Sequence, residues 1–358
     1  MDVYIDLQAL RHNVNTIKKA AGDKHIAVVV KSDAYGHDIT LVVPALLSLG
    51  IERYVVSNIE EAYKVWTLGA RWILILHLTP GDILEISTAS AKFKQAVRVA
   101  VWDFDFLSSI PADIPVHLAF SLGFGIGIDY RMMQLSLLKG KNIEGLMGHI
   151  PFLEDTKDHQ LLRKKIYKDF MDISEYYIKK LDIRDIHLCN SSSLFYLDGC
   201  SGTSMIRTGV AVYGYIEPET VKPLLNPVMY QLAPVIAVKN IRKGDTVFYG
   251  NIAEKDMKIA FVRAGYGDGY VGAKYVYHLK SGNYVPRVFD LTMNVSAIDV
   301  SDVDVKNGDT VLLLGHHEKV RADIVASMIG LSTEKILTKA GLSRRRALPQ
   351  DVRDLLLL

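Results

Sequence analysis

The stretch "AVVVKSDAYGHD", Ala27 to Asp38, joins a β-branched apolar run to a lysine and then to small and polar residues. The run predicts a short buried strand. Lys31 at its end is a charged amine where burial is costly unless the charge is used or reaches water. The same kind of run recurs seven more times: "RYVVSNI" (53–59), "WILILHL" (72–78), "AVRVAVW" (96–102), "PVHLAFS" (115–121), "NIEGLMGHI" (142–150), "DIHLCN" (185–190) and "SMIRTGVAVYG" (204–214). Helical patterns lie between most of them: "DITLVVPALLSLG" (38–50), "IEEAYKVWTLG" (59–69) and "LLRKKIYKDFMDISEYYIKKL" (161–181). Eight strands with helical crossovers predict an α/β fold, a parallel sheet closed into a (β/α)8 barrel. A doubly wound open sheet is the alternative.

The pattern changes between Pro218 and Pro227. Strand-like runs without long helices follow: "MYQLAPVIAVKNI", "GDTVFYG", "MKIAFVRAGYG", "YVYHLK", "YVPRVFDLTMNVSAIDV" and "GDTVLLLG". This predicts a barrel over residues 8–220 and a mostly β domain over 221–358, with residues 1–7 supplying a strand to the latter.

Composition narrows the function classes. The chain of 358 residues carries 42 Lys plus Arg against 40 Asp plus Glu, so no basic excess points to nucleic acid. No run approaches the roughly 20 apolar residues that span a bilayer, and the start lacks the pattern of a signal peptide. Two cysteines, Cys189 and Cys200, suggest reduced thiols and no metal site. A soluble, cytoplasmic protein is expected, without nucleic-acid or membrane partners.

Functional residues of a (β/α)8 barrel collect at the C-terminal strand ends. There the sequence places Lys31, His149, Asn190, Ser191, Arg207 and Gly209. A desolvated lysine can attack a carbonyl, as in a Schiff base with pyridoxal phosphate. "NSSS" and "RTGV" offer small residues and backbone N–H groups for a phosphate. A rim lysine whose stem packs while its amine reaches water is the other reading of Lys31.

"VVKSDAYGH" resembles the cofactor-binding signature of the alanine racemases. "GLMGH", "HLCNSSS", "IRTGVAVYG", "KGDTVFYG", "RAGYGDGY" and "PRVFDLTMNVSAIDV" resemble further segments of that family, in the same order and over nearly the whole chain. The resemblance implies a barrel plus β domain acting as a homodimer with shared active sites. Lys31 would hold pyridoxal phosphate covalently and serve as base on one face of a small amino acid, alanine by default. Tyr266 of the partner subunit would serve on the other face. Arg207 would face the pyridine nitrogen. Tyr35, Ser191, Gly209 and Val210, at the corner begun by Asn190, would hold the phosphate. His149 would pack on the ring and help orient Arg207 or Tyr266. Met293 and Asn294 would lie near the substrate.

The chain departs from the family pattern in "AFSLGFGIGI" (119–128). Ala119 stands where the family has a lysine, often carbamylated, and Ile126 where it has an arginine. Ser121 and Leu122 replace an Asp-Thr pair. Asn294 replaces an aspartate. "GLSRRRALPQ" lacks the usual tyrosine near the exit, and one of Arg287, Arg344, Arg345 or Arg346 is the expected replacement contact for a carboxylate or phosphate. Three alternatives stand beside alanine racemisation: racemisation of another amino acid such as serine, decarboxylation on the same fold, and binding of pyridoxal phosphate with little catalysis. The expected β domain, 221–358, has no cysteine, where the related decarboxylases carry a catalytic one.

Overall fold

The computed structural model describes residues 1–132, 135–151, 156–197, 199–217 and 220–356. Pro218, one end of the expected change of pattern, lies outside them. The chain divides into two compact units. One holds residues 11–34 and 42–225, the other residues 1–10, 35–41 and 226–358. The chain therefore leaves the first unit just after Ala34 and re-enters it at Val42.

Strand β1 (Asp2–Ile5) belongs to the second unit. Eight parallel strands build the first: β2 (His25–Val29), β3 (Arg53–Val56), β4 (Trp72–Ile75), β5 (Val97–Val101), β6 (Val116–Ala119), β7 (Ile143–Met147), β8 (Asp185–His187) and β9 (Met205–Thr208). Their order, β8-β7-β6-β5-β4-β3-β2-β9, is that of a barrel. The last seam is held by Ser204 N–H on Ile186 O and Arg207 N–H on Cys189 O. All eight expected strands are present. Ala27, Val55, Leu74, Ala100, Ala119, Met147 and Met205 form one buried cluster. Arg53, His117 and Arg207 each stand two residues from a member of this cluster on the same strand, so the period of two puts these polar side chains on the interior face as well. The crossover helices begin on side-chain caps: Asn58 accepts from Glu61 N–H, and Thr156 from His159 N–H.

The second unit contains β10 (Met229–Ile241), the hairpin β11 (Thr246–Val247) and β12 (Asn251–Ile252), β13 (Met257–Val262), β14 (Tyr275–His278), β15 (Asn283–Val288), β16 (Ser296–Asp299), β17 (Thr310–Leu314) and β18 (Arg345–Ala347). Eight of its strands form a sheet in the order β13-β16-β15-β14-β17-β10-β1-β18. β1 joins it through an antiparallel ladder with β10. Two runs read as single strands are interrupted. "GDTVFYG" turns at Phe248 and Gly250, and "YVPRVFDLTMNVSAIDV" breaks at Phe289, all three at positive φ.

The expectation of two reduced thiols is corrected. Cys189 and Cys200 are joined in a disulfide with Cα atoms 6.5 Å apart, and both are buried. A cysteine count cannot reveal this pairing. It arises because the short helix Ser191–Tyr196 and the turn after it carry Cys200 back to the end of β8. No described helix is long and apolar enough to cross a membrane.

Candidate active site

Lys31 follows β2 and opens an unusual turn. Ser32, Asp33, Ala34 and Tyr35 take φ values of 53°, 55°, 56° and 54°. Each non-glycine residue in this left-handed region costs roughly 1–2 kcal/mol. Such strain concentrates at functional sites, where surrounding contacts over-determine it. Here Ala34 is fully buried and its N–H bonds Val30 O at 2.9 Å. The carboxylate of Glu61 accepts from Ser32 N–H at 2.6 Å and from Ser57 N–H at 2.8 Å. It thereby clamps the turn after β2 to the end of β3. The sequence marks Glu61 only as a first-turn helix acid, so this role shows only in three dimensions.

Around Lys31 the other strand ends bring His77, Trp102, His149 and Arg207. The rings of His77 and Trp102 stack at 6.0 Å, and His77 Nδ1 lies 3.2 Å from Ser57 Oγ. His149 meets the exposed ring of Phe124 edge-on at 4.7 Å. Burial, then the charges of Arg207 and Lys31, push the His149 pKa down to about 4. Burial and the Lys31 charge lower that of His77 as well. Both histidines are thus neutral at pH 7, and Lys31, His149 and Arg207 share one electrostatic neighbourhood.

Arg207 is buried, and burial lowers its pKa to about 10, so it keeps its charge at neutral pH. Its Nη1 reaches His187 Nδ1 at 2.6 Å and His187 O at 2.9 Å, and its Nη2 reaches Gly148 O at 2.6 Å. The imidazole hydrogen-bonded to the guanidinium is that of His187, while His149 feels Arg207 through its charge. The signal was present in "DIHLCN", where Asp185 and His187 alternate onto one face of β8.

Asn190 caps the helix Ser191–Tyr196. Its Oδ1 accepts from Ser193 N–H and Ser193 Oγ, and its Nδ2 donates to Ile150 O. The amide shapes the corner and is occupied in doing so. The buried Ser191 hydroxyl gathers the corner: Thr208 Oγ1 lies at 3.1 Å, Gly209 N–H at 3.1 Å and Ala211 N–H at 3.4 Å. Hydroxyls and backbone N–H groups converging beside Val210 are the donor set a phosphate requires. With an amine at a neighbouring strand end, these residues fit a phosphorylated aldehyde.

Ala119 and Ile126 have separate fates. Ala119 is part of the apolar barrel cluster, while Ile126 is 46% exposed on the loop from Phe120 to Ile128. That loop folds back on itself through Ser121 N–H to Ile128 O and Ile128 N–H to Ala119 O.

The second unit brings Tyr266, Met293 and Asn294 together. Tyr266 N–H bonds Thr292 O at 3.2 Å, and Gly267 N–H bonds Met293 O at 2.8 Å. Asn294 Nδ2 reaches Asp268 Oδ2 at 3.3 Å, the oxygen that also accepts from Gly265 N–H. A Cβ on Gly265 would stand 2.3 Å from Thr292 O, so only glycine permits this approach. Tyr266 is left 56% exposed. In the same unit Gly36, at φ 80°, packs its backbone on Gly341. Burial and then the Glu334 charge raise the pKa of the adjacent Tyr35.

Three of the four arginines offered as an anion contact have structural partners here. Arg287 donates to Ala273 O and Phe289 O, and Arg346 pairs with Asp2. Arg345 Nη1 reaches Gly36 O at 3.4 Å, beside Tyr35, and its Nε lies 3.9 Å from Asp38. Arg344 is exposed.

A parallel barrel with an amine, a buried arginine and a phosphate-type corner at its strand ends, followed by a β unit, defines a cofactor-dependent barrel enzyme. Comparison with known proteins makes this specific. The model of the alanine racemase N-terminal domain matches residues 5–217, and that of the C-terminal domain matches residues 228–348. The chain belongs to the alanine racemase family, a family of pyridoxal-phosphate isomerases. It is 29% identical to the alanine racemase of Borreliella burgdorferi (strain ZS7), over 96% of each chain. The biosynthetic alanine racemase from Pseudomonas aeruginosa superposes with a TM-score of 0.83 at 25% identity, covering 97% of this chain and 99% of that one. The alanine racemase from Bartonella henselae, described with covalently bound pyridoxal phosphate, has the same fold, with a TM-score of 0.82 at 21% identity, covering 97% and 99%.

Proposed function

We propose that this chain interconverts L- and D-alanine with pyridoxal phosphate, using Lys31 and Tyr266 as the two bases. The observation that carries the reading is Lys31 at the end of β2, within electrostatic reach of neutral His149 and cationic Arg207. Pyridoxal phosphate, when bound, supplies the electron sink that makes the substrate Cα proton removable. Lys31 Nζ would hold the cofactor and would take or return the Cα proton on one face of the substrate. The Tyr266 hydroxyl of the partner subunit acts on the other face, so the active form is a homodimer. Two bases on opposite faces invert the centre without a large movement of the substrate.

Ser191, with the backbone N–H groups of Gly209 and Val210, holds the phosphate, and Asn190 keeps that corner in shape. Tyr35, in the turn that follows Lys31, adds its hydroxyl. Arg207 offers the pyridine nitrogen a hydrogen-bond donor with no readily lost proton. His149 packs against the ring. Met293 and Asn294, which adjoin Tyr266, border the substrate from the partner subunit with it.

The test is chiral analysis of L-alanine and L-serine after incubation with the protein and pyridoxal phosphate. D-Alanine accumulating toward an equal mixture supports the reading. D-Serine alone would reassign the substrate, and neither product would remove the activity.

A further inference from the structure

Polar side chains run through the barrel interior from Arg207 to Arg53. Arg207 Nη1 lies 2.6 Å from His187 Nδ1, and His187 Nε2 lies 2.7 Å from His117 Nδ1. His117 Nε2 lies 3.8 Å from Asp185 Oδ2, and Asp185 Oδ1 lies 2.5 Å from Arg53 Nη1. His117 Nε2 and Asp185 Oδ2 are both buried and neither has a hydrogen-bond partner; the 3.8 Å between them is an ion-pair distance, longer than a hydrogen bond. Room for the His117 ring comes from Gly145, where a Cβ would stand 2.5 Å from His117 Nδ1. Trp72 meets the same ring edge-on at 5.6 Å, with Arg53 and Arg98 over the indole. Arg98 pairs in turn with Glu144.

The chemistry of the groups gives this chain of contacts a direction. A guanidinium only donates, so His187 Nδ1 must present its lone pair to Arg207. A neutral His187 then carries its proton on Nε2 and donates it to His117 Nδ1. His117 in turn carries its proton on Nε2, facing the carboxylate of Asp185. Asp185 is itself fixed by Arg53. Each proton has one place, set by an arginine at each end.

We infer that His117 and Asp185 are positioning residues for Arg207, holding His187 in the Nε2-protonated neutral form whose free Nδ1 anchors the guanidinium. Burial, followed by the charges of Arg98, Arg53 and Arg207, holds His117 neutral. Burial, followed by Arg207, His117 and Arg53, does the same for His187. Glu144 and Asp185 are the anions that face the cluster. The consequence for the cofactor rests on the proposed function: the group offered to the pyridine nitrogen is a fixed arginine whose orientation is set two residues away.

The tautomer claim does not depend on that reading, so the two fail separately. The first measurement is long-range 1H–15N NMR of the 15N-histidine-labelled chain at pH 7, without cofactor. The expected result is a neutral, Nε2-protonated ring for both His117 and His187. A proton on His187 Nδ1, or a doubly protonated ring at either position, would overturn the inference. The second compares His117→Leu with His117→Asn, whose Oδ1 can accept where Nδ1 does. His117→Leu is expected to mix the His187 tautomers and weaken pyridoxal phosphate binding by at least tenfold, and His117→Asn to restore both. An unchanged His187 tautomer in His117→Leu would leave His117 a packing residue and contradict the claim. If His117→Leu does not fold, Asp185→Asn takes its place: the expected outcome is a mixed tautomer at His117, and an unmixed one contradicts the claim.

Discussion

The two proposed bases sit on turns built in opposite ways. Lys31 opens a turn of four consecutive non-glycine residues at positive φ, held by a buried alanine and by the Glu61 carboxylate. Tyr266 sits between Gly265 and Gly267, where missing side chains let the backbone close on Thr292–Asn294. The first turn stores strain and needs neighbours to hold it. The second reaches a tight geometry with little strain, at the entropic cost glycine brings to the unfolded chain. A covalently loaded lysine has to stay aimed at one place, and an over-determined turn does that. A tyrosine acting on a substrate held elsewhere needs only a close-packed and exposed perch.

Substitutions can break or sharpen this contrast. The largest effects should fall on the bases themselves. Lys31→Ala should lower alanine racemisation by at least about a thousandfold and remove the visible absorption band of the lysine-bound cofactor. Tyr266→Phe should cost roughly 10²–10⁴-fold in rate, the usual worth of a single acid–base group, and leave that band in place. Steady-state rates and an absorption spectrum of each variant decide the point. Equal loss of the band in both would erase the distinction between the two turns.

The next effect is on stability against pH. His149 titrates near 4 in the folded chain and near 6.5 when unfolded. Its contribution is therefore fully present above pH 6.5 and is lost as pH falls toward 4, because the unfolded chain binds the proton first. The shift amounts to up to roughly 3 kcal/mol. Urea titrations at pH 7 and pH 4.5 should show His149→Gln losing less stability on acidification than the parent. An identical acid slope would count against a buried neutral His149.

Glu61→Ala removes the clamp between the two strand ends and should destabilise the chain by about 2 kcal/mol, one to two charge-assisted hydrogen bonds at a partly exposed site. Ser32→Gly has the smallest expected effect. It relieves left-handed strain and raises unfolded-state entropy, leaving a net gain below about 1 kcal/mol. Urea midpoints measure both. A large loss from Ser32→Gly would mean that the serine side chain, and not the backbone, holds the turn.

Much of this fold could be read from the sequence, because strand-period apolar runs alternate with helical ones and each barrel strand is short and buried. Lys31, His149, Ser191 and Arg207 were legible because they end those runs. Glu61 and His117 were not. Glu61 looks like any acid in a first helical turn, and its two N–H partners come from turns 29 and 4 residues away. His117 acts through a ring 70 residues distant. The disulfide was hidden for a similar reason: the turn that returns Cys200 to Cys189 leaves no mark in a count of two cysteines.

The most direct test of two opposed bases is alanine racemisation in D2O, starting from L-alanine and stopped early. Two bases predict that the D-alanine formed carries deuterium at Cα while the remaining L-alanine keeps its proton. Deuterium entering L-alanine as fast as D-alanine appears would mean that one base serves both faces, contradicting the roles given to Lys31 and Tyr266.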